Sequence, residues 1–298
     1  MQYFKSAVMS CLLLLAACNY TAWSSQGVST ELIKLKTSDG ITLTGVLHQH
    51  QSITNNVGVI MVHGYSGNFY SGIMSFLPKT LTDRGFATLA LNMRDHDRNP
   101  KKNLFRENRL DIATAVAEMA RRGFQPLFLH GHSMGTNRVL YYLAETQDPR
   151  IFGAILTGPP GNLFEWNIRM FGKETAIRVL RQAQDLVAGG KGDQWMLINL
   201  GPLGKALYTA NHLVSLRGPA TVSDPFKNIA RIVKPILIVH GLSDRLAEHT
   251  VADRLHNGAP AGAKIDVVKI TEANHSFFNR QQGLADTLSR WLMEQTNQ

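Results

Sequence analysis

Apolar residues fall into two regimes along the chain. Early on, Ile33, Leu35, Ile41, Leu43 and Val46 alternate with polar residues around Ser38-Asp39-Gly40, the period-two pattern of a β-hairpin with one solvated face. From residue 57 onward they gather into short continuous runs. These are Val57–Val62, Phe86–Leu91, Leu127–Leu129, Ile151–Leu156, Ile236–Val239 and Ile265-Asp266-Val267-Val268. Helix-patterned segments fill the gaps, at roughly 70–84, 104–122, 134–146, 247–257 and 281–295. Such an alternation predicts an α/β fold: a mostly parallel sheet of about eight strands, with helices covering both faces.

One stretch, roughly 157–235, interrupts the alternation. It is too long for a structureless loop inside a compact domain, and it carries helical patterns such as Glu174 to Val187. We therefore expect a folded helical lid, about residues 163–230, inserted after the sixth strand. Its apolar cluster (Leu163, Phe164, Trp166, Ile168, Met170 and Phe171, then Trp195 to Ile198) either lines an acyl pocket or packs the lid onto the body. The main domain is expected to span 31–298.

The N-terminus has a different character. Lys5 precedes the uncharged apolar run 7–17, which has the length of a signal-peptide core and is too short for a stable membrane span. The run ends Leu15-Ala16-Ala17-Cys18, which resembles the bacterial lipobox. That resemblance implies a signal peptide of residues 1–17, lipidation of Cys18, a tether over 18–30 and a lipid-anchored protein of the cell envelope. A plain signal-peptidase site with an incidental cysteine is the other reading of the same residues. The only other cysteine is Cys11, inside the discarded segment, so the mature chain has no intramolecular disulfide, cysteine zinc site or cysteine nucleophile. The formal charge of +9 comes without a nucleic-acid-binding motif or a run of like charges, and we expect no nucleic-acid partner. A cationic surface suits contact with anionic lipid, and equally suits plain solvation.

The strongest chemical signal is Gly131-His132-Ser133-Met134-Gly135. It follows a strand run and precedes a helix starting near Met134, the strand–turn–helix setting of a nucleophile elbow. The turn demands close backbone approach, hence its glycines. The helix N-terminus below it offers unpaired N–H groups to a developing oxyanion. A serine hydroxyl needs a base, and two later loops supply candidates. His240-Gly241-Leu242-Ser243-Asp244 follows one strand, and Asn274-His275-Ser276-Phe277 follows the last. Ser, Asp, His is the chain order that such elbows use.

Together with His63-Gly64-Tyr65, these segments resemble the α/β-hydrolase superfamily over about residues 31–295. The resemblance implies that Ser133 attacks, His275 accepts its proton and Asp244 fixes the imidazole tautomer. It also implies that the Tyr65 and Met134 amides form the oxyanion hole, with His63 holding that loop by hydrogen bonds, and that neither metal nor organic cofactor is required. Residues 92–98 depart from the family pattern, lacking the glycines of the corresponding turn. Asp95, His96 and Asp97 sit there beside Arg94 and Arg98, an arrangement that reads as a salt-bridged loop and not a metal site. The pairs His130/His132 and His48/His50 lack a third ligand.

The implied activity is hydrolysis of a small-molecule carboxylic ester through an acyl-enzyme. Thioesterase, serine peptidase or amidase, acyltransferase and C–C hydrolase chemistry share the triad and stay open. The alternative of another class is a non-catalytic membrane-tethered binding protein. Covalent labelling of Ser133 by a fluorophosphonate distinguishes it from an enzyme.

Overall fold

A computed structural model describes residues 27–50 and 56–297. The expected signal segment and Cys18 lie outside the described residues. The chain opens with an antiparallel pair, β1 (Val28–Lys36) and β2 (Thr42–His50). β1 begins inside the stretch expected to be tether, because Val28 to Thr30 already pair with His50 to His48. The inward face of the hairpin is Ile33, Leu35, Leu43 and Leu47. Val46, expected inside, pairs with the exposed Leu32 on the outer face. With a side-chain period of two, cross-strand register decides which of the neighbours Val46 and Leu47 is buried.

Next come β3 (Gly58–Val62), α1 (Leu77–Thr82), β4 (Ala87–Leu91), α2 (Asn108–Arg121), β5 (Leu127–His132), α3 (Met134–Thr146) and β6 (Ile151–Thr157). After an insertion follow β9 (Ile236–Gly241), α8 (Thr250–Gly258), β10 (Ile265–Ile270) and α9 (Gln281–Thr296). The insertion holds α4 (Leu163–Phe171), α5 (Lys173–Ala188), β7 (Trp195–Asn199), β8 (Lys205–Thr209), α6 (Ala210–Arg217) and α7 (Pro225–Ile229). Eight strands form one sheet in the order β1-β2-β4-β3-β5-β6-β9-β10, parallel from β4 onward.

The central strands read as unbroken apolar runs because both faces are covered. Ile60, Val62, Leu89, Leu129 and Ile238 point to one face, toward α2, α3 and α8. Val59, Met61, Phe128, Ile155 and Leu237 point to the other, toward α1 and α9. Burying each such side chain stabilises the fold by roughly 1.5–3 kcal/mol. The sheet order reverses at β3. From β3 the chain steps outward to β4, then returns to β5 on the opposite side and proceeds the other way. Loops leaving the carboxyl ends of β3 and β5 therefore diverge, opening the crevice where parallel α/β sheets bind ligands.

The insertion is not purely helical, in contrast to the helical lid expected from its pattern. β7 and β8 form an antiparallel ribbon. Met196 and Ile198 face inward onto Ala183, Tyr208 and Leu213, while Trp195 and Leu197 stay exposed. That alternation is a strand signature, hidden in the sequence because both faces carry apolar residues.

Candidate active site

β5 delivers Ser133 to the crevice on a strained turn. Ser133 has φ +53° and ψ −127°, a conformation that L-residues adopt only where the surroundings enforce it. The enforcement is visible. Its N–H donates to Thr157 O at 2.9 Å, and its carbonyl accepts from Thr136 N–H at 2.9 Å. A Cβ on Gly135 would lie 2.3 Å from Val62 O, and one on Gly131 would lie 2.6 Å from Gly135 O. Any larger residue at either position would push α3 off β3 and β5. Met134 opens α3, so its N–H belongs to the first turn, which has no intrahelical acceptor.

The loop after β3 packs directly against this turn. A Cβ on Gly64 would stand 2.8 Å from Ser133 Cβ. His63 holds the loop from below: its Nε2 accepts from Met93 N–H at 3.1 Å, so Nδ1 carries the proton and donates to Gly64 O at 2.8 Å. Burial, followed by repulsion from Arg138, lowers its pKa to about 3 and keeps it neutral. Arg138, on α3, donates to His63 O at 3.0 Å and to Asp95 Oδ1 at 2.6 Å. Burial opposes the Asp95 charge, yet Arg138 prevails and lowers its pKa to about 2. One buried ion pair thereby ties the β3 loop, the β4 loop and α3 together. Arg94 meanwhile binds Asp39, Glu107 and Asp111, so the 92–98 turn is a salt-bridged loop.

Asp244 and His275 come together from the loops after β9 and β10. His275 Nδ1 lies 2.7 Å from Asp244 Oδ2. Asp244 Oδ1 accepts from the Leu246 and Ala247 amides at 2.8 and 2.9 Å, and His240 Nε2 stands 3.3 Å from Oδ2. Burial pushes the Asp244 pKa up, but the hydrogen bonds from His240 and His275 outweigh it and hold the carboxyl well below its usual range. The other carboxylates are engaged elsewhere. Asp253 pairs with Lys269, Asp266 accepts from Trp291 Nε1, Asp224 caps α7 and Glu165 meets Arg254. The His132 ring is tilted against the His275 ring at 4.9 Å and bonds Thr157 through Nδ1. Burial, then the charge of His275, drives its pKa far down, so it flanks His275 as a neutral ring.

Ser133, Met134, Tyr65 and His275 all line one cavity of about 230 Å³. Leu163 and Trp166 of α4 roof it, and Trp166 Nε1 donates to Leu246 O at 2.7 Å, beside Asp244. The lid cluster divides: Leu163 and Trp166 of α4 line the cavity, while Met196 and Ile198 pack the insertion's own core. Sequence reading missed Arg138, His240 and Arg217, the last a lid residue that also lines the cavity. The signal for Arg138 was a cation in an otherwise apolar helix pattern. His240 was visible in the His-Gly-x-x-Asp run without its partner.

Residues 55–193 match a hydrolase family described as serine aminopeptidase, S33; that span includes Ser133 and stops before Asp244 and His275. Among solved structures, the chain is similar to Est1E of Butyrivibrio proteoclasticus with ferulic acid bound (18% identity, TM-score 0.66, 89% of this chain and 99% of that one). It is also similar to the esterase domain of a Rhodothermus marinus protein (16%, 0.61, 88% and 97%). A third likeness is to the Pyrococcus furiosus esterase Pf2001 (15%, 0.62, 90% and 91%). No curated protein matches the chain. The fold is that of the α/β-hydrolases. Ser133 lies on the turn after β5, and the insertion sits between β6 and β9.

Proposed function

We propose that the chain is a serine hydrolase that cleaves a carboxylic ester through an acyl-enzyme on Ser133. The observation that carries this reading is the 2.7 Å contact between Asp244 and His275, with His275 lining the same cavity as the strained Ser133. Asp244 keeps the His275 proton on Nδ1, leaving Nε2 free as base. Ser133 Oγ attacks the ester carbonyl as its proton passes to Nε2, and the Tyr65 and Met134 amides receive the oxyanion. Collapse expels the alcohol, which takes the proton from His275. Water then repeats the sequence on the acyl-enzyme and frees the acid.

The cavity is small beside typical ligand pockets, and this favours short acyl chains. A series of 4-nitrophenyl esters tests the reading. Acetate and butyrate esters are expected to turn over faster than decanoate and laurate. The family description favours one rival, an aminopeptidase, so aminoacyl 4-nitroanilides belong in the same assay. Cleavage of anilides without esters would replace ester hydrolysis by amide hydrolysis.

The lipobox-like Leu15-Ala16-Ala17-Cys18 supports a second part of the proposal: export, and anchoring in the bacterial envelope through acylated Cys18. Among the described residues no helix is long and apolar enough to cross a membrane. Several acyl chains hold a protein stably on a bilayer, so the wild type is expected in the membrane fraction and Cys18→Ser in the soluble one, or as uncleaved precursor. A soluble, unacylated wild-type species by intact mass would refute the anchor.

A further inference from the structure

Arg217 ends α6 and is only 5% exposed, yet its Nε and Nη1 are buried without a hydrogen-bond partner. The other buried cations have oxygen partners, with only Nε of Arg138 left unpaired. Arg138 has Asp95 and His63 O, and Lys101 donates to the carbonyls of Asp95, His96 and Asp97. Two features soften the Arg217 charge. Its guanidinium stands 5.6 Å from the centre of the Tyr208 ring, and the α6 C-terminus is the negative end of that helix. Neither supplies the oxygen pair to which a guanidinium fork donates.

The place of that missing partner is informative. Arg217 lines the cavity that holds Ser133 and His275, and so does Ser66, whose Oγ is also buried and unpartnered. Tyr208 Oη is also buried and unpartnered, but Tyr208 lies behind these residues and outside the cavity lining, its ring edge-on to Tyr65 at 6.4 Å. Two unsatisfied polar side chains, Arg217 and Ser66, therefore line the cavity of the proposed nucleophile. Carboxylates match this set: they accept two parallel bonds from a guanidinium and further bonds from hydroxyl donors. A buried charge without such a partner is strongly unfavourable.

We propose that Arg217 binds a carboxylate carried by the substrate, so that the preferred substrate is an anionic half-ester or its equivalent, with Ser66 as a further donor. The inference rests on the ester-hydrolase reading of the site and adds the class of substrate. The carboxylate is remote from the scissile bond, on either the acyl or the alcohol side.

Two matched pairs separate those sides: 4-nitrophenyl hemiglutarate against 4-nitrophenyl valerate, and 3-carboxyphenyl butyrate against phenyl butyrate. In one pair the anionic ester is expected to lead in kcat/KM by on the order of tenfold or more, the range for a hydrogen bond to a charged group. Arg217→Met should erase that ratio, and Arg217→Lys should keep part of it. No preference in either pair, or a preference that survives Arg217→Met, overturns the proposal. Thermal unfolding with glutarate and with glutaramide reads binding without turnover. Glutarate alone should raise the wild-type Tm, and the rise should vanish in Arg217→Met. Should Arg217→Met fail to fold, the wild-type comparison and Arg217→Lys still decide. Neutral esters cleaved without charge preference and without glutarate binding refute this inference alone. A charge-dependent glutarate shift without any ester turnover refutes the hydrolase reading alone.

Discussion

Ser133→Ala is expected to lower ester turnover by on the order of 10⁶-fold, as in other serine enzymes, with little change in melting temperature. The structure separates these two effects. What holds the elbow is backbone: the Ser133 N–H to Thr157 O, Thr136 N–H to the Ser133 carbonyl, and the close contact of Gly135 with Val62. Alanine keeps all of these and has the same difficulty as serine at φ +53°. Only the hydroxyl goes, and with it the covalent intermediate. Residual catalysis would come from the oxyanion amides and from binding alone. Steady-state hydrolysis by purified variant, beside its thermal unfolding, checks both parts. Near-normal turnover in a folded Ser133→Ala protein would refute the mechanism.

Asp244→Asn is expected to cost roughly 10⁴-fold, the penalty of a wrong imidazole tautomer. The reason lies in what already surrounds the carboxylate. Oδ1 accepts two amides, from Leu246 and Ala247, so an asparagine keeps its oxygen on that side. Its NH₂ then faces His275 Nδ1 where Oδ2 accepted a proton. His275 must turn Nδ1 into an acceptor and place its proton on Nε2, where it can no longer take one from Ser133. His240 loses the same acceptor, so some stability is lost as well. Asp253→Asn and Asp266→Asn are the controls, breaking a Lys269 pair and a Trp291 hydrogen bond that lie away from His275. Their turnover is expected to stay near wild type. Activity retained in Asp244→Asn, with loss at Asp266 or Glu165 instead, would move the acid.

Local signals were legible in the sequence, and pairings across the fold were not. Strands such as Gly58–Val62 announced themselves because a strand buried on both faces must be apolar throughout. The elbow was legible because two glycines flank the serine between a strand and a helix. Hidden features depend on which distant residues meet. Val46 and Leu47 exchange roles because β1 sets the register. Arg138 gains its meaning only once Asp95, far earlier in the chain, is brought beneath it. Arg217 looked like an ordinary cation at a helix end, and only burial in the cavity without a counter-charge distinguishes it.

The central claim is a covalent intermediate on one serine, and mass spectrometry of the protein after reaction with a fluorophosphonate tests it most directly. Four serines line the cavity, Ser66, Ser71, Ser133 and Ser276, so the site of labelling is a real choice. The account predicts one adduct per chain, mapped to the peptide carrying Ser133 and lost in Ser133→Ala. An adduct on Ser66, Ser71 or Ser276 instead, or none at all while esters are still cleaved, would contradict it.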